Sequence, residues 1–100
     1  MIRHIVMWKF KEEAEGCSRL ENMEKVRDRL YALVPIIPEI KKMEIGFDVK
    51  RTDASADLVL ETEFDSLDTL AIYAEHPEHL AVGAFVRAVT NTRVVIDFEI

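Results

Sequence analysis

The strongest constraint on the fold of this chain is a two-residue alternation of apolar and polar side chains that recurs in separate segments. Residues 43–49, 58–64 and 92–100 place mostly apolar side chains at alternate positions, a pattern typical of strands with one buried face. The N-terminal segment, residues 2–10, is apolar on both of the faces that such alternation defines. These segments predict four strands, of which the first is apolar on both sides.

Two longer segments have the three- to four-residue apolar spacing of amphipathic helices. The first begins at Ser18, whose spacing from Glu21 matches a capping box, and it ends before Pro35. The second begins at Ser66. Pro77 interrupts it, because proline cannot continue a helix but suits the first position of a new one. We therefore expect this second helical segment to be divided at Pro77 and to continue to about residue 90.

The elements follow one another in the order strand, helix, strand, strand, helix, strand, with no internal linker, repeat or low-complexity tract. This order favours an α+β ferredoxin-like fold, in which a four-stranded antiparallel sheet carries its helices on one face. A length of 100 residues and a hydrophobic content of 49% suit one domain with a core of its own. We expect a single domain over residues 1–100.

The composition argues against several classes of partner. The net charge is −6 and no basic stripe is present, so nucleic acid is not expected as a partner. No apolar run approaches the roughly 18 residues that span a bilayer, so a membrane is not expected either. Residues 1–10 lack the pattern of a signal peptide, and the single cysteine, Cys17, allows no internal disulfide. A cytoplasmic location is expected.

The first strand presents a problem of burial. Alternation gives it one face with His4, Trp8 and the other even-numbered residues, and a second face with Ile5 and Met7. Helices cover only one face of such a sheet, and a large exposed apolar patch is rare on a monomer. We therefore predict a homodimer packed sheet against sheet by two-fold symmetry. The alternative is a monomer whose first strand is buried on both sides. Trp8 is assigned to the dimer core in preference to a pocket wall.

The three histidines are His4, His76 and His79. His79 is expected in the first turn of the helix after Pro77, where the helix dipole lowers the pKa of an imidazole and keeps the base free. It is the candidate general base, and the alternative is a ring that only hydrogen-bonds a backbone carbonyl or a strand. His76 is expected to cap the helix. The spacing of His76 and His79 does not specify a metal site, and none is expected.

Two further polar side chains belong to the same prediction. Tyr73 is the candidate donor to an oxyanion or a ligand carbonyl, and the alternative is a core tyrosine with its hydroxyl at the edge. His4 is either a core histidine with both nitrogens satisfied or a group that lines a pocket. Glu61 and Glu63 are expected on a solvated edge rather than as a catalytic acid and base.

Several motifs are informative in combination: residues 2–11, Ile45-Gly46, residues 64–67 and, most specifically, residues 73–79, where an aromatic residue and paired histidines surround a proline. Together they resemble the stress-responsive A/B barrel (Dabb) family of the dimeric α/β-barrel group. This resemblance implies a ferredoxin-like subunit whose sheet pairs with that of a second copy to form a barrel.

The family includes a plant polyketide cyclase, and the resemblance implies its chemistry here: intramolecular aldol condensation without a metal or an organic cofactor. By that resemblance His79 is the base, Tyr73 helps to hold the substrate and His4 lies in the pocket. Trp8 and Leu58 complete the expected pocket. At Leu58 the cyclase has a histidine, so this chain departs from it by losing a polar group.

The leading hypothesis is a homodimer that binds a small apolar or carbonyl-containing metabolite between sheet and helices, with cofactor-free proton transfer or aldol-type chemistry at His79. One alternative is a non-catalytic stress-response module that binds an apolar metabolite. Another is a structural dimer whose barrel is filled by side chains. A cavity of about 300 Å³ or more would favour a ligand over the structural alternative.

Overall fold

The computed structural model describes all of residues 1–100. The strands are β1 (Ile2–Phe10), β2 (Glu13–Ala14), β3 (Cys17–Ser18), β4 (Lys42–Phe47), β5 (Leu58–Phe64) and β6 (Thr90–Glu99). The helices are α1 (Arg19–Tyr31), α2 (Leu67–Glu75) and α3 (Pro77–Val89). The predicted order of the main elements is confirmed, and so is the division of the second helical segment at Pro77.

β1 lies inside the sheet rather than at its edge. The four long strands are arranged in the order β4-β5-β1-β6, and every neighbouring pair is antiparallel. His4 on β1 is opposite Thr62 of β5 on one side and opposite Asp97 of β6 on the other. The predicted ferredoxin-like α+β fold is therefore confirmed, and its first and last strands are neighbours.

Side-chain caps fix the residues at which the helices begin. At α1, Ser18 and Glu21 form the expected capping box, in which each side chain accepts a hydrogen bond from the other residue's backbone N–H. At α3, the Nδ1 atom of His76 accepts a hydrogen bond from the backbone N–H of Glu78 at 3.1 Å. The predicted capping role of His76 is confirmed, and Pro77 occupies the first position of the helix.

A short hairpin, β2 with β3, precedes α1 and was not predicted. Glu15 and Gly16 between its strands have φ angles of 52° and 75°, which suit a two-residue hairpin turn. The side-chain amide of Asn22 donates a hydrogen bond to the carbonyl of Ala14 at 2.9 Å and holds the hairpin against α1. The Glu15-Gly16 pair is the sequence signal that could have indicated this turn.

The helices cover the face of the sheet that carries the even-numbered residues of β1. Trp8 on that face is only 5% exposed within a single chain and packs in the core with Val26 and Leu30 of α1. The assignment of Trp8 to a dimer core is therefore wrong. Alternation shows which side chains share a face of a strand, but it does not show which of the two faces the helices cover.

The opposite face of the sheet has no helix on it. Its large apolar side chains come from three strands and are Ile5, Met7, Val59, Val94, Ile96 and Phe98. On the same face Arg3 makes ion pairs with Glu61 at 3.3 Å and Glu63 at 3.4 Å. Glu61 and Glu63 were expected on an edge strand. That expectation is wrong, because their strand, β5, lies between β4 and β1. We call the helix-free face of the sheet, which carries these apolar side chains and the Arg3 ion pairs, the open face.

The helices are short and amphipathic. None of the three has the length and apolar composition needed to cross a membrane. The cytoplasmic location expected from the sequence stays a prediction.

Candidate functional site

A cavity of about 370 Å³ lies between the helix-covered face of the sheet and the three helices. This volume falls in the range of small-molecule sites, about 300–1,000 Å³. Six elements contribute to its wall, whose residues are His4, Val6, Trp8, Leu30, Leu60, Tyr73, His79, Val82, Gly83, Val86, Arg87, Thr90 and Arg93. Four of the five residues that the sequence assigned to the site therefore line one cavity: His4, Trp8, Tyr73 and His79.

His79 lies in the first turn of α3, and a backbone hydrogen bond fixes its ring. Its Nδ1 atom is 3.0 Å from the carbonyl oxygen of Ala74 at the end of α2. Because a carbonyl oxygen can only accept, Nδ1 carries the proton and Nε2 keeps its lone pair. The alternative role predicted for His79, a hydrogen bond to a backbone carbonyl, is thus present. The same hydrogen bond leaves Nε2 available as a base.

Burial is the main cause that lowers the pKa of His79 below its ordinary value of 6.5. The hydrogen bond to Ala74 raises the pKa, whereas the charges of His4, Arg93 and Arg87 lower it further. The direction of the shift is the predicted one, and desolvation is its largest cause. His79 is a neutral imidazole at neutral pH.

Tyr73 is packed directly against His79, with their ring centroids 4.3 Å apart. The side chain is 1% exposed, and its hydroxyl makes no hydrogen bond within the protein. Burial raises the pKa of Tyr73 to about 12, against a smaller lowering effect of Arg93. The hydroxyl therefore stays protonated and has an unused hydrogen to donate.

His4 is held by a carboxylate that the sequence reasoning did not identify. Its Nδ1 atom is 2.5 Å from Oδ1 of Asp97, which lies directly opposite on β6. Nδ1 donates this bond, so in the neutral ring Nε2 of His4 is the acceptor nitrogen. The ring centroid of His4 is 6.4 Å from that of Tyr73, so His4, Tyr73 and His79 form one continuous polar group in the wall.

Two arginines in the cavity wall were also missed. Arg87 comes from α3 and Arg93 from β6, and neither makes an ion pair or a side-chain hydrogen bond. Gly83 lies one helical turn before Arg87, and a Cβ added there would come within 3.4 Å of Arg87 Nη1. The absence of a side chain at Gly83 keeps this part of the wall open.

Leu58 lies outside this cavity, which corrects the expected pocket. It is at the start of β5, opposite Trp8 and Phe47, and lines a separate, more open pocket of about 200 Å³. Leu60, one alternation step further along β5, lines the main cavity instead. No group of three or more histidine, cysteine, aspartate or glutamate side chains is arranged to hold a metal ion.

These features define a small ferredoxin-like domain with an internal site between its sheet and its helices. The family model of the Stress responsive A/B Barrel Domain (Dabb) matches residues 2–100, and the chain belongs to this family. The family resemblance carried by the sequence motifs is thus confirmed.

The chain is similar over nearly its whole length to proteins of diverse origin. Olivetolic acid cyclase from Cannabis sativa is 27% identical over 99 residues, which cover 97% of this chain and 94% of the cyclase. A dimeric protein of unknown function and ferredoxin-like fold from Bacteroides fragilis is 30% identical, with a TM-score of 0.87 over 99% of this chain and 95% of its own. A dimeric ferredoxin-like protein of unknown function from Thermobifida fusca is 26% identical, with a TM-score of 0.83 over 99% and 90%.

Proposed function

We propose that this protein is a homodimer in which each subunit binds a small carbonyl compound in the cavity and uses His79 as a general base for cofactor-free proton transfer. The observation that carries this proposal is the hydrogen bond from His79 to Ala74, which leaves Nε2 unprotonated beside a cavity of ligand size. Burial and two nearby guanidinium groups favour the neutral ring. A base of this kind contributes about 10²- to 10⁴-fold in rate.

The proposed step begins when the C–H bond next to the ligand carbonyl breaks. Its proton passes to Nε2 of His79, and the electron pair forms an enolate. The hydroxyl of Tyr73 keeps its proton and donates a hydrogen bond to the enolate oxygen, where negative charge develops. In an aldol reaction the enolate carbon then bonds to a second carbonyl carbon, whose oxygen takes the proton back from His79. In an isomerisation the proton returns to carbon instead.

Chemistry at a carbonyl is supported by the mixture of groups in the wall. Val6, Leu60 and Val86 are apolar, and the polar groups converge at His79 and Tyr73. That anatomy is the usual one for a ligand site. The presence of a cavity argues against the alternative of a purely structural dimer whose interior is filled by side chains. The similarity to olivetolic acid cyclase supports a ring-closing reaction without selecting a substrate for this chain.

Dimer formation is supported by the open face. Val94, Ile96 and Phe98 of β6 are exposed by 58%, 54% and 37% within a single chain. Each such side chain contributes about 1.5–3 kcal/mol when fully buried. Sheet-to-sheet contact with a second copy would bury them, and the similar proteins from Bacteroides fragilis and Thermobifida fusca are dimeric.

The test uses 4-phenyl-2-butanone in deuterated buffer and follows the loss of its α-proton signals by NMR. We expect the protein to accelerate this exchange and His79→Ala to reduce the acceleration about 100-fold or more. His76→Asn is the matched control, because asparagine also caps a helix. Trp8 is the only tryptophan and lines the cavity, so its fluorescence reports binding separately. Equal exchange with and without His79 would overturn the catalytic proposal, whereas binding without exchange would support the non-catalytic alternative.

A further inference from the structure

The charge of the cavity wall is opposite in sign to that of the protein. The chain carries a net charge of −6, yet the ionisable groups of the wall are His4, Tyr73, His79, Arg87 and Arg93, with no carboxylate among them. Asp97 is not a wall residue, and its carboxylate accepts the hydrogen bond from Nδ1 of His4. The wall therefore presents two permanent positive charges in an acidic protein.

The two arginines come from different elements and converge on one space. Arg93 is opposite Trp8 in the pairing of β6 with β1, which places it on the helix-covered face of the sheet. Arg87 follows His79 by two turns of α3, and the missing side chain of Gly83 keeps the wall between them clear. Both guanidinium groups affect the pKa of His79, so both lie within electrostatic reach of the proposed base.

Both arginines are exposed to solvent within a single chain, and neither has a partner in the protein. All the other arginines except Arg19 and Arg29 are in ion pairs, and Arg29 lies over the ring of Phe85 at 4.1 Å. A guanidinium presents five donors in a planar fork that fits an oxyanion with two parallel hydrogen bonds. Two unpaired forks at one cavity form a better anion site than either would alone.

We propose that the cavity selects an organic acid: a small molecule with an apolar body and one carboxylate, the carboxylate being held by Arg93 with Arg87. This inference rests on the proposed use of the cavity as a ligand site, and it adds the class of ligand. Val6, Trp8 and Val86 would contact the apolar body. A carboxylate anchored at the arginines would leave the carbonyl end of the molecule for His79 and Tyr73.

A monoanion is favoured over a phosphate because of the apolar part of the wall. Taking a charged group out of water is costly, and the cost rises steeply with charge. Two guanidinium groups balance the charge of a phosphate dianion, but inorganic phosphate has no apolar part to fill the rest of a cavity of about 370 Å³. Inorganic phosphate therefore serves as a competitor in the test.

The test compares phenylacetate with 2-phenylacetamide, which has the same shape without the charge. Binding of each is measured by Trp8 fluorescence in the native protein and in Arg87→Gln, Arg93→Gln and the double variant. Native protein should bind phenylacetate roughly 10- to 100-fold more tightly than the amide, as expected for charge-assisted hydrogen bonds. The double variant should lose that preference while its affinity for the amide stays within about 2-fold. Lys50→Gln, which changes the net charge by as much as either single variant and removes no ion pair, should behave as native protein.

The inference is overturned if phenylacetate binds no more tightly than 2-phenylacetamide, or if neither compound binds. It is also overturned if the preference for phenylacetate survives in the double variant. Inorganic phosphate is tested as a competitor of bound phenylacetate. If phosphate binds more tightly than phenylacetate, the assignment of a carboxylate ligand is contradicted. The proposed function is judged separately, by proton exchange of the neutral ketone in the native protein and in His79→Ala. Exchange by the native protein, together with an acid preference that the double variant loses, supports both proposals. Loss of exchange in His79→Ala with the acid preference intact shows that they are independent.

Discussion

Oδ1 of Asp97 lies 2.5 Å from Nδ1 of His4, although the two residues are 93 positions apart in the chain. The pairing of β1 with β6 places them directly opposite each other. His4 is 8% exposed, so its N–H is deprived of water and depends on this carboxylate. The contact fixes the tautomer of His4 and the direction in which its other nitrogen faces the wall of the cavity.

Replacing Asp97 with alanine should destabilise the fold, because the buried N–H of His4 would lose its acceptor. We expect a loss of about 1–3 kcal/mol in the free energy of unfolding, measured with urea. Asp65→Ala is the control, since Asp65 makes only an exposed ion pair with Lys41 at 3.6 Å. That pair is worth about 1 kcal/mol or less. Similar losses in the two variants would show that His4 does not depend on Asp97.

Replacing Tyr73 with phenylalanine should separate function from stability. The hydroxyl has no partner in the protein, so its removal should leave the free energy of unfolding unchanged or raise it by up to about 1 kcal/mol. The ring would keep its contact with Phe64, whose centroid is 5.0 Å away. Proton exchange of the ketone should fall about 10- to 100-fold, as when a donor to a developing oxyanion is removed.

Tyr31→Phe is the matched control for this experiment. The hydroxyl of Tyr31 accepts a hydrogen bond from the backbone N–H of Ile45 at 3.0 Å, and neither residue lines the cavity. Its loss should reduce stability by about 1 kcal/mol and leave proton exchange unchanged. If Tyr73→Phe behaved as Tyr31→Phe does, Tyr73 would be a core tyrosine and nothing more.

The pH dependence follows from the lowered pKa of His79. Because the neutral ring is the active form, the rate of exchange should decline as the pH falls, with its midpoint below the ordinary histidine value of 6.5. His4, Arg87 and Arg93 contribute to the lowered pKa, and the ring of Tyr73 packs against His79. A profile with its midpoint at or above pH 6.5 would assign the base to a different group. Direct NMR titration of the three histidines identifies which one follows the rate.

Stability should show the same linkage. The pKa of His79 is lower in the folded state than in the unfolded chain, so the unfolded chain binds more protons between the two values. Stability should therefore fall as the pH drops from about 6.5 through the native pKa. His79→Gln removes this contribution, and the difference in unfolding free energy between the two proteins should shrink towards low pH. A difference that stays constant with pH would contradict the shift.

The order of elements was predictable because its signals are local. Strand alternation, the Ser18 capping box and the break at Pro77 each depend on residues within a few positions of one another. The capping role of His76 is of the same kind. Local patterns thus placed His79 at a helix start and Tyr73 at the end of the preceding helix.

The rest of the site depends on pairing between distant strands. Arg93 lies in the wall, and Asp97 beside the wall residue His4, only through the register of β6 on β1, which no local pattern specifies. The face of Trp8 depends on which side of the sheet the helices take. Leu58 was assigned by resemblance to a position that, in this chain, lies beyond the end of the cavity.

Replacing Gly83 with alanine should stabilise the protein and weaken ligand binding. Alanine is about 1 kcal/mol more favourable than glycine inside a helix. The new Cβ would meet only the mobile end of Arg87, at 3.4 Å, so the fold can accept it. The methyl group would occupy part of the cavity wall, and we expect phenylacetate to bind several-fold more weakly by Trp8 fluorescence. Unchanged affinity with increased stability would place the ligand away from α3.

A charge on the open face should dissociate the dimer. Ile96 is 54% exposed within one chain and lies at the centre of the exposed apolar side chains of β6. Ile96→Lys would require a dimer to bury an unpaired ammonium group, which costs several kcal/mol. Sedimentation at micromolar concentration should then give the 11.5 kDa monomer for this variant and twice that mass for the native protein. Leu67→Lys is the control, because Leu67 is 63% exposed but lies on α2, on the other side of the sheet. A dimer that survives in Ile96→Lys but not in Leu67→Lys would place the contact on the helices instead.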